Sequence, residues 1–186
     1  MTVRLTHTSD LTPAALDAVR DLLTDAFDGD FGDEDWDHTL GGVHALIQDE
    51  RGPVAHGAVV MRRVRAGGRW RRVGYVEGVA VRADARRRGL GGQVMGALEG
   101  VIDRAYDFGA LSASDEGARL YAARGWRVWG GRICAAGPGG VVRLPEEEGT
   151  TYVWVPPRTP PGDPVGDVSG DPVGELVFDW RDGDVL

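Results

Sequence analysis

One block of the chain, GYVEGVAVRADARRRGLGGQVMGALEGVI at residues 74–102, gathers residues whose types and spacing suit chemistry. Arg86-Arg87-Arg88-Gly89-Leu90-Gly91 reads R-x-x-G-x-G, between an apolar run and a helical pattern. Glycines let a backbone approach a ligand closely, and free N–H groups at a helix N-terminus bind phosphate. Arginines beside them add positive charge and bidentate hydrogen bonds. The loop suits a pyrophosphate or similar anion, the alternative being a merely flexible basic turn. Walker and Rossmann spacings both fail. Glu77 interrupts the apolar run Tyr75, Val76, Val79, Val81. A carboxylate there is costly unless it is paired, solvated or functional. Gly78 beside it suggests a bulge, which would splay the strand and expose backbone amides. Tyr121, in Arg119-Leu120-Tyr121, reads from spacing alone as a half-buried core aromatic.

These residues need elements to hold them. Strands are expected at 3–7, 43–49, 54–64 and from about 70 to 81, with a hairpin turn at Gly67-Gly68. Thr12-Pro13 starts a helix whose apolar stripe is Leu16, Val19, Leu23, Ala26 and Phe27. A short helix at 33–40 is stopped by Gly41-Gly42. A helix from Leu90 to Ala105 buries Leu90, Val94, Leu98, Val101, Ile102 and Ala105. Its glycines (Gly91, Gly92, Gly96, Gly100) are poor helix formers and imply close backbone approach. Ser114 caps a helix that Gly125 ends. Short strands follow at 110–113, 128–129, 133–136, 141–144, 151–155 and 176–180. Residues 156–174, dense in Pro, Gly and Asp, read as a flexible loop. No repeat or internal domain boundary is visible, so 1–186 reads as one domain.

The chain has 186 residues, one cysteine and a formal net charge of −8. All 21 basic residues are arginine, which excludes Schiff-base lysine chemistry and a lysine-dependent phosphate loop. Cys134 alone permits no intrachain disulfide and no cysteine-based zinc site. No apolar run approaches the roughly 18 residues of a membrane span, and no signal peptide is evident. A cytoplasmic protein is therefore expected. The charge is laid out in blocks. Acids without arginine run from Asp21 to Glu50, ten arginines against Glu77 and Asp84 run from Arg62 to Arg88, and acids return from Glu146 onward. The layout reads either as solvated faces or as an anion site in the middle of the chain with a cation site beside it.

Taken together, these residues resemble the GNAT superfamily. The segments GDF (29–31), DWDHTLGG (35–42), HALI (44–47), YVEGVAVRAD (75–84), GALS (109–112), RLYAARGW (119–126) and DWRDGDV (179–185) look like the aminoglycoside 2′-N-acetyltransferases. The resemblance implies an α/β (α+β) fold with a central mixed, mostly antiparallel twisted sheet flanked by helices. It implies acetyl-CoA as co-substrate and no metal. The pyrophosphate would lie on Arg86, Arg87, Arg88, Gly89, Leu90, Gly91 and Gly92, and the pantetheine arm against Val79, Ala80 and Val81. Glu77 matches the family's base, acting through water, with the Gly78 carbonyl orienting the amine. Tyr121 matches its general acid. The polycationic drug would meet Asp30, Asp35, Ser112, Glu147, Asp184 and the carboxylate of Leu186. Three glutamates stand at 146–148 where relatives carry aspartates, and Leu186 stands where relatives end in an aromatic. Cys134 falls outside these motifs. A homodimer is implied, and no nucleic acid or membrane. Rival readings are a GNAT enzyme for another cationic metabolite or cell-envelope precursor, and a drug-binding protein without catalysis.

Overall fold

A computed structural model describes residues 2–160, 162, 163, 165, 174–183 and 186. In chain order the elements are β1 (Arg4–His7), α1 (Pro13–Ala26), α2 (Asp33–Thr39), β2 (Val43–Asp49), β3 (Gly52–Ala66), β4 (Arg69–Val81), α3 (Leu90–Ala105), β5 (Phe108–Ser112), α4 (Asp115–Arg124), β6 (Arg127–Val128), β7 (Arg132–Gly137), β8 (Gly140–Arg143), β9 (Thr151–Trp154) and β10 (Glu175–Asp179). The strands pair in the order β6-β9-β5-β4-β3-β10-β7-β8, with β2 also on β3 and β1 on β2. Pairs β4–β5 and β7–β10 are parallel. Pairs β1–β2, β2–β3, β3–β10, β5–β9, β6–β9 and β7–β8 are antiparallel, giving the expected mixed, mostly antiparallel sheet.

The chain forms two compact units, Met1–Val60 with Val76–Val101, and Met61–Tyr75 with Ile102–Leu186. In the first unit, Thr12 caps α1 by accepting the Ala15 N–H on its hydroxyl, and Pro13 occupies the first turn. The helix buries Val19, Leu22 and Leu23, and its C-cap Phe27 is exposed, so the expected stripe stops one turn short. Val19, Leu23, Leu46 and Ala80 make a core cluster, with Leu11, Ala26, Phe31 and Trp36 packed on it. Helix α3 buries Leu90, Val94, Met95 and Leu98 here, and Glu99 with them. Ala105, expected on the buried side, is exposed, because the last residue of the helix has run past the surface it covers. Strand β3 makes room for the side chains of α3 at Gly57. A Cβ on Gly57 would stand 2.8 Å from Val94 Cγ1 and 3.0 Å from Leu98 Cδ1.

In the second unit, Ser114 caps α4 through the Gly117 N–H, and Gly125 ends it at φ +95°. Strand β5 runs beside β4 with Val73 opposite Phe108, Gly74 opposite Gly109 and Tyr75 opposite Ala110. Gly109 leaves room for Ile102, Trp126 and Trp154, since a Cβ there would lie 2.9 Å from Ile102 Cδ1 and 3.1 Å from the Trp126 ring and from Trp154 Cβ. Arg62 is buried, and its guanidinium bonds both the carboxylate and the carbonyl of Asp179. Among the described residues of 156–174, three make contacts that bear on the loop. Arg158 donates to the Asp103 and Tyr106 carbonyls, Arg71 pairs with Asp163 at 2.9 Å, and Val165 is buried.

Candidate active site

The first unit carries the anion loop and Glu77. Strand β4 ends at Val81, and Arg82 then fastens the exit by bonding Asp49 at 2.6 Å and Asp84 at 2.8 Å. These bonds hold both carboxyls down at about 2, well below the ordinary range. A single 3-10 turn, Ala83–Ala85, leads into the loop. Arg86 turns its guanidinium back onto the Val81 and Ala26 carbonyls at 3.2 and 3.4 Å. It braces the loop, while Arg87 and Arg88 are exposed. Arg87 is left-handed at φ +64° and Gly89 at φ +76°. Left-handed backbone is strained for arginine and tolerated by glycine. Helix α3 starts at Leu90, so the first-turn N–H groups of Leu90, Gly91 and Gly92 lack intrahelical acceptors. Exposed cations, backbone that folds over on itself and a long helix's N-terminus are what a pyrophosphate requires.

Glu77 is half-buried near the C-terminal end of β4, and Val79 to Val81 complete the strand. Gly78 stands at φ +56°, the left-handed residue that a bulge needs. A Cβ there would sit 3.2 Å from Leu23 Cδ1. Its carbonyl is engaged, accepting from His56 Nδ1 at 2.7 Å. Behind it lies a buried chain of rings. His44 Nδ1 is 2.9 Å from His56 Nε2, and the Thr8 hydroxyl is 2.7 Å from His44 Nε2. Both imidazoles are 0% exposed. Burial depresses them to about 4 for His44 and about 3 for His56, with His7 repelling charge on His44 and His44 on His56. Sequence reading passed over this pair. The signal was of the same kind as for Glu77, a polar side chain inside an apolar strand.

Two acids assigned to the drug site also lie in this unit. Asp30 is exposed. Asp35 is half-buried and already has work, accepting the Gly32 N–H at 2.7 Å to cap the start of α2. In the second unit, Ser112 and Glu147 are brought together, the hydroxyl donating to Glu147 Oε2 at 2.7 Å. Thr150 donates to the same oxygen at 3.2 Å. Tyr121 is 7% exposed, deeper than the half-burial that spacing suggested. Its ring lies between Trp126 and Tyr152, at 6.2 and 6.1 Å between centroids, and burial pushes its hydroxyl up to about 12. Leu186 is half-buried, and Asp184 lies outside the described residues. Cys134 is buried with its thiol raised by burial and by Glu175. Among the described residues no helix is long and apolar enough to cross a membrane.

Residues 7–129 match the family described as an acetyltransferase (GNAT) domain. The aminoglycoside 2′-N-acetyltransferase of Mycolicibacterium fortuitum is 46% identical over 99% of this chain and 91% of its own. The GNAT family N-acetyltransferase YhbS of Escherichia coli, solved in complex with CoA, shares the fold at a TM-score of 0.61 and 17% identity, over 95% of this chain and 88% of that one. The GCN5-related N-acetyltransferase of Kribbella flavida aligns at a TM-score of 0.53 and 24% identity over 70% of this chain, which spans only 34% of that longer one. On the family match and the near full-length identity together, this chain belongs to the GNAT acetyltransferases, and within them to the aminoglycoside 2′-N-acetyltransferase family.

Proposed function

We propose that the chain transfers an acetyl group from acetyl-CoA to the 2′-amine of an aminoglycoside. One observation carries the substrate class: a likeness to an aminoglycoside 2′-N-acetyltransferase that extends over 99% of the chain at 46% identity. Acetyl-CoA supplies the thioester whose carbonyl carbon the amine nitrogen attacks, forming the amide and breaking the carbon–sulfur bond. The Arg87–Gly92 segment binds the pyrophosphate, with Arg86 bracing it from behind. The backbone of Val79, Ala80 and Val81 holds the pantetheine arm. At neutral pH the acceptor is an ammonium, so a proton must leave before nitrogen can attack. Glu77 takes that proton through water, and the Gly78 carbonyl orients the amine with the lone pair that His56 leaves. Tyr121 Oη–H gives a proton to the departing sulfur and is restored by the proton that the nitrogen sheds as the amide forms. Its burial suits this role, because the hydroxyl stays protonated throughout the working range. Asp30, Asp35, Asp184, the Leu186 carboxylate and the Ser112–Glu147 pair receive the drug's ammonium groups. The enzyme works in the cytoplasm as a homodimer, which sedimentation of the purified protein tests.

Purified protein with acetyl-CoA and gentamicin, tobramycin or neomycin should release thiol, with the product acetylated at the 2′ nitrogen by mass spectrometry and NMR. Glu77→Gln should lower kcat by about 10²-fold, and most at low pH, where the amine is most protonated. Absence of turnover with every drug overturns the substrate. A variant pH profile parallel to that of the native enzyme removes Glu77 from the base role.

A further inference from the structure

The buried imidazoles of His56 and His44 have no part in the scheme above, yet they end on the backbone at its centre. Their hydrogens can be assigned by elimination. A carbonyl only accepts, so His56 Nδ1 donates to Gly78 O at 2.7 Å. A neutral ring has one N–H, so His56 Nε2 accepts, and His44 Nδ1 donates to it at 2.9 Å. His44 Nε2 then accepts, and the Thr8 hydroxyl donates to it at 2.7 Å. Thr8 Oγ1 is itself held by the Gly41 N–H at 2.9 Å. Every bond in the relay points the same way, and both rings are fixed as Nδ1–H tautomers. Depressed basicity keeps both neutral at working pH.

Such a chain cannot be a proton wire, because its last acceptor is a peptide carbonyl, which does not take up a proton near neutrality. What it can do is aim a peptide plane. The Gly78–Val79 peptide is planar and trans, so its C=O and N–H point in opposite directions. Fixing the Gly78 carbonyl toward His56 fixes the Val79 N–H away from it. Gly78 needs such a restraint. At φ +56° it sits in a conformation that its own flexibility would let it leave.

We infer that His56, held in its tautomer by His44 and Thr8, is a positioning residue that aims the Gly78–Val79 peptide at the acetyl-CoA thioester. The inference rests on the reading that Val79 and Glu77 line that site. The His56 ring bonds the Gly78 carbonyl at 2.7 Å and acts through the backbone.

The test compares native enzyme with His56→Leu, which removes the donor, and His56→Asn, whose amide nitrogen stands where Nδ1 stood. In the native protein, ¹⁵N-resolved NMR of the ring nitrogens should show His44 and His56 as Nδ1–H tautomers, the less common form of a free imidazole. His56→Leu should lower kcat about 10–100-fold with little change in acceptor KM, as expected for a misaimed group. Calorimetry without acceptor should show acetyl-CoA bound about fivefold more weakly, the size of one lost hydrogen bond to its thioester carbonyl. His56→Asn should recover most of both losses. An Nε2–H tautomer at His56 overturns the inference. So does a folded Leu variant with native kcat and acetyl-CoA affinity, or an Asn variant as impaired as Leu at equal thermal stability. If the Leu variant does not fold, the Asn variant and the native tautomers still decide. Acetyl-CoA affinity is read without any acceptor. If the native enzyme turns over no aminoglycoside while acetyl-CoA affinity follows this pattern, the substrate reading fails and the relay stands.

Discussion

Two buried groups show how environment sets chemistry at single residues. Tyr121 keeps its proton because burial raises its hydroxyl to about 12. An acid meant for a departing thiolate must hold its proton until that thiolate forms. Tyr121→Phe should therefore lower kcat about 10²-fold or more while leaving CoA affinity and melting temperature near native. A native kcat would make the ring structural. His44 and His56 are shifted the opposite way, from 6.5 to about 4 and about 3. The unfolded chain takes up protons on both rings as pH falls through 6.5, and the native relay refuses them. Stability is thus fully present above pH 6.5 and falls from there toward pH 4, by at most about 1.4 kcal/mol per pH unit for each ring. Urea unfolding followed between pH 6.5 and 5 should give a slope that rises from about one proton at the upper end toward two at the lower. Stability flat across that window would mean that the rings are not buried as a neutral pair. Asp49 and Asp84, held at about 2 by Arg82, act in a separate and lower window, losing their contribution only below about pH 4.

At the scale of elements, glycine positions separate local from non-local information. Gly42 is buried where α2 gives way to β2, and a Cβ there would meet the Val59 carbonyl oxygen at 2.1 Å. Backbone cannot step aside as a side chain can. Gly42→Ala should cost about 3 kcal/mol in chemical denaturation, at the upper end for overpacking. Gly139→Ala, with nothing within 4 Å of its Cβ, should stay within about 0.5 kcal/mol of native. Equal effects would undo this account of the β2–β3 contact. The sequence did predict a stop at Gly41-Gly42, and likewise the Thr12 and Ser114 caps, the Gly125 terminator and the limits of α3, because each depends on residues within a turn of one another. It could not show that β3 takes β10 on one side at Val64 and Phe178, that β10 lies parallel to β7, or that Val94 and Leu98 of α3 press on Gly57. Those facts pair residues far apart in the chain. The site divides in the same way. Arg86–Gly92 and Glu77–Gly78 were legible as a contiguous motif. The His44–His56 relay joins two strands and Thr8, so only the fold reveals it.

The arginine block reads in sequence either as a solvated face or as an anion site, and the structure divides its members among different partners. Arg62 is spent on Asp179, Arg65 on Glu175, Arg71 on Asp163 and Arg82 on Asp49 and Asp84. Arg86 braces its own loop through backbone carbonyls. Arg62, Arg65, Arg71 and Arg82 are each neutralised by a partner acid, so the block presents less free charge to a ligand than its length in sequence suggests. Arg87 and Arg88 stand exposed at the start of α3. Partially screened surface cations steer a polyanion and lose that effect as salt rises, since the screening length falls to about 8 Å at physiological ionic strength. The KM for acetyl-CoA should therefore climb with added salt. In Arg87→Gln/Arg88→Gln it should start several-fold higher and climb less steeply, with the melting temperature nearly native. Arg71→Gln should do the reverse, since it leaves the half-buried Asp163 unpaired: the melting temperature falls and the salt dependence of the acetyl-CoA KM is retained. If instead Arg71→Gln flattened the salt dependence and the loop double variant did not, the anion site would lie outside the loop at 86–92, and the charge of the block would act as a whole after all.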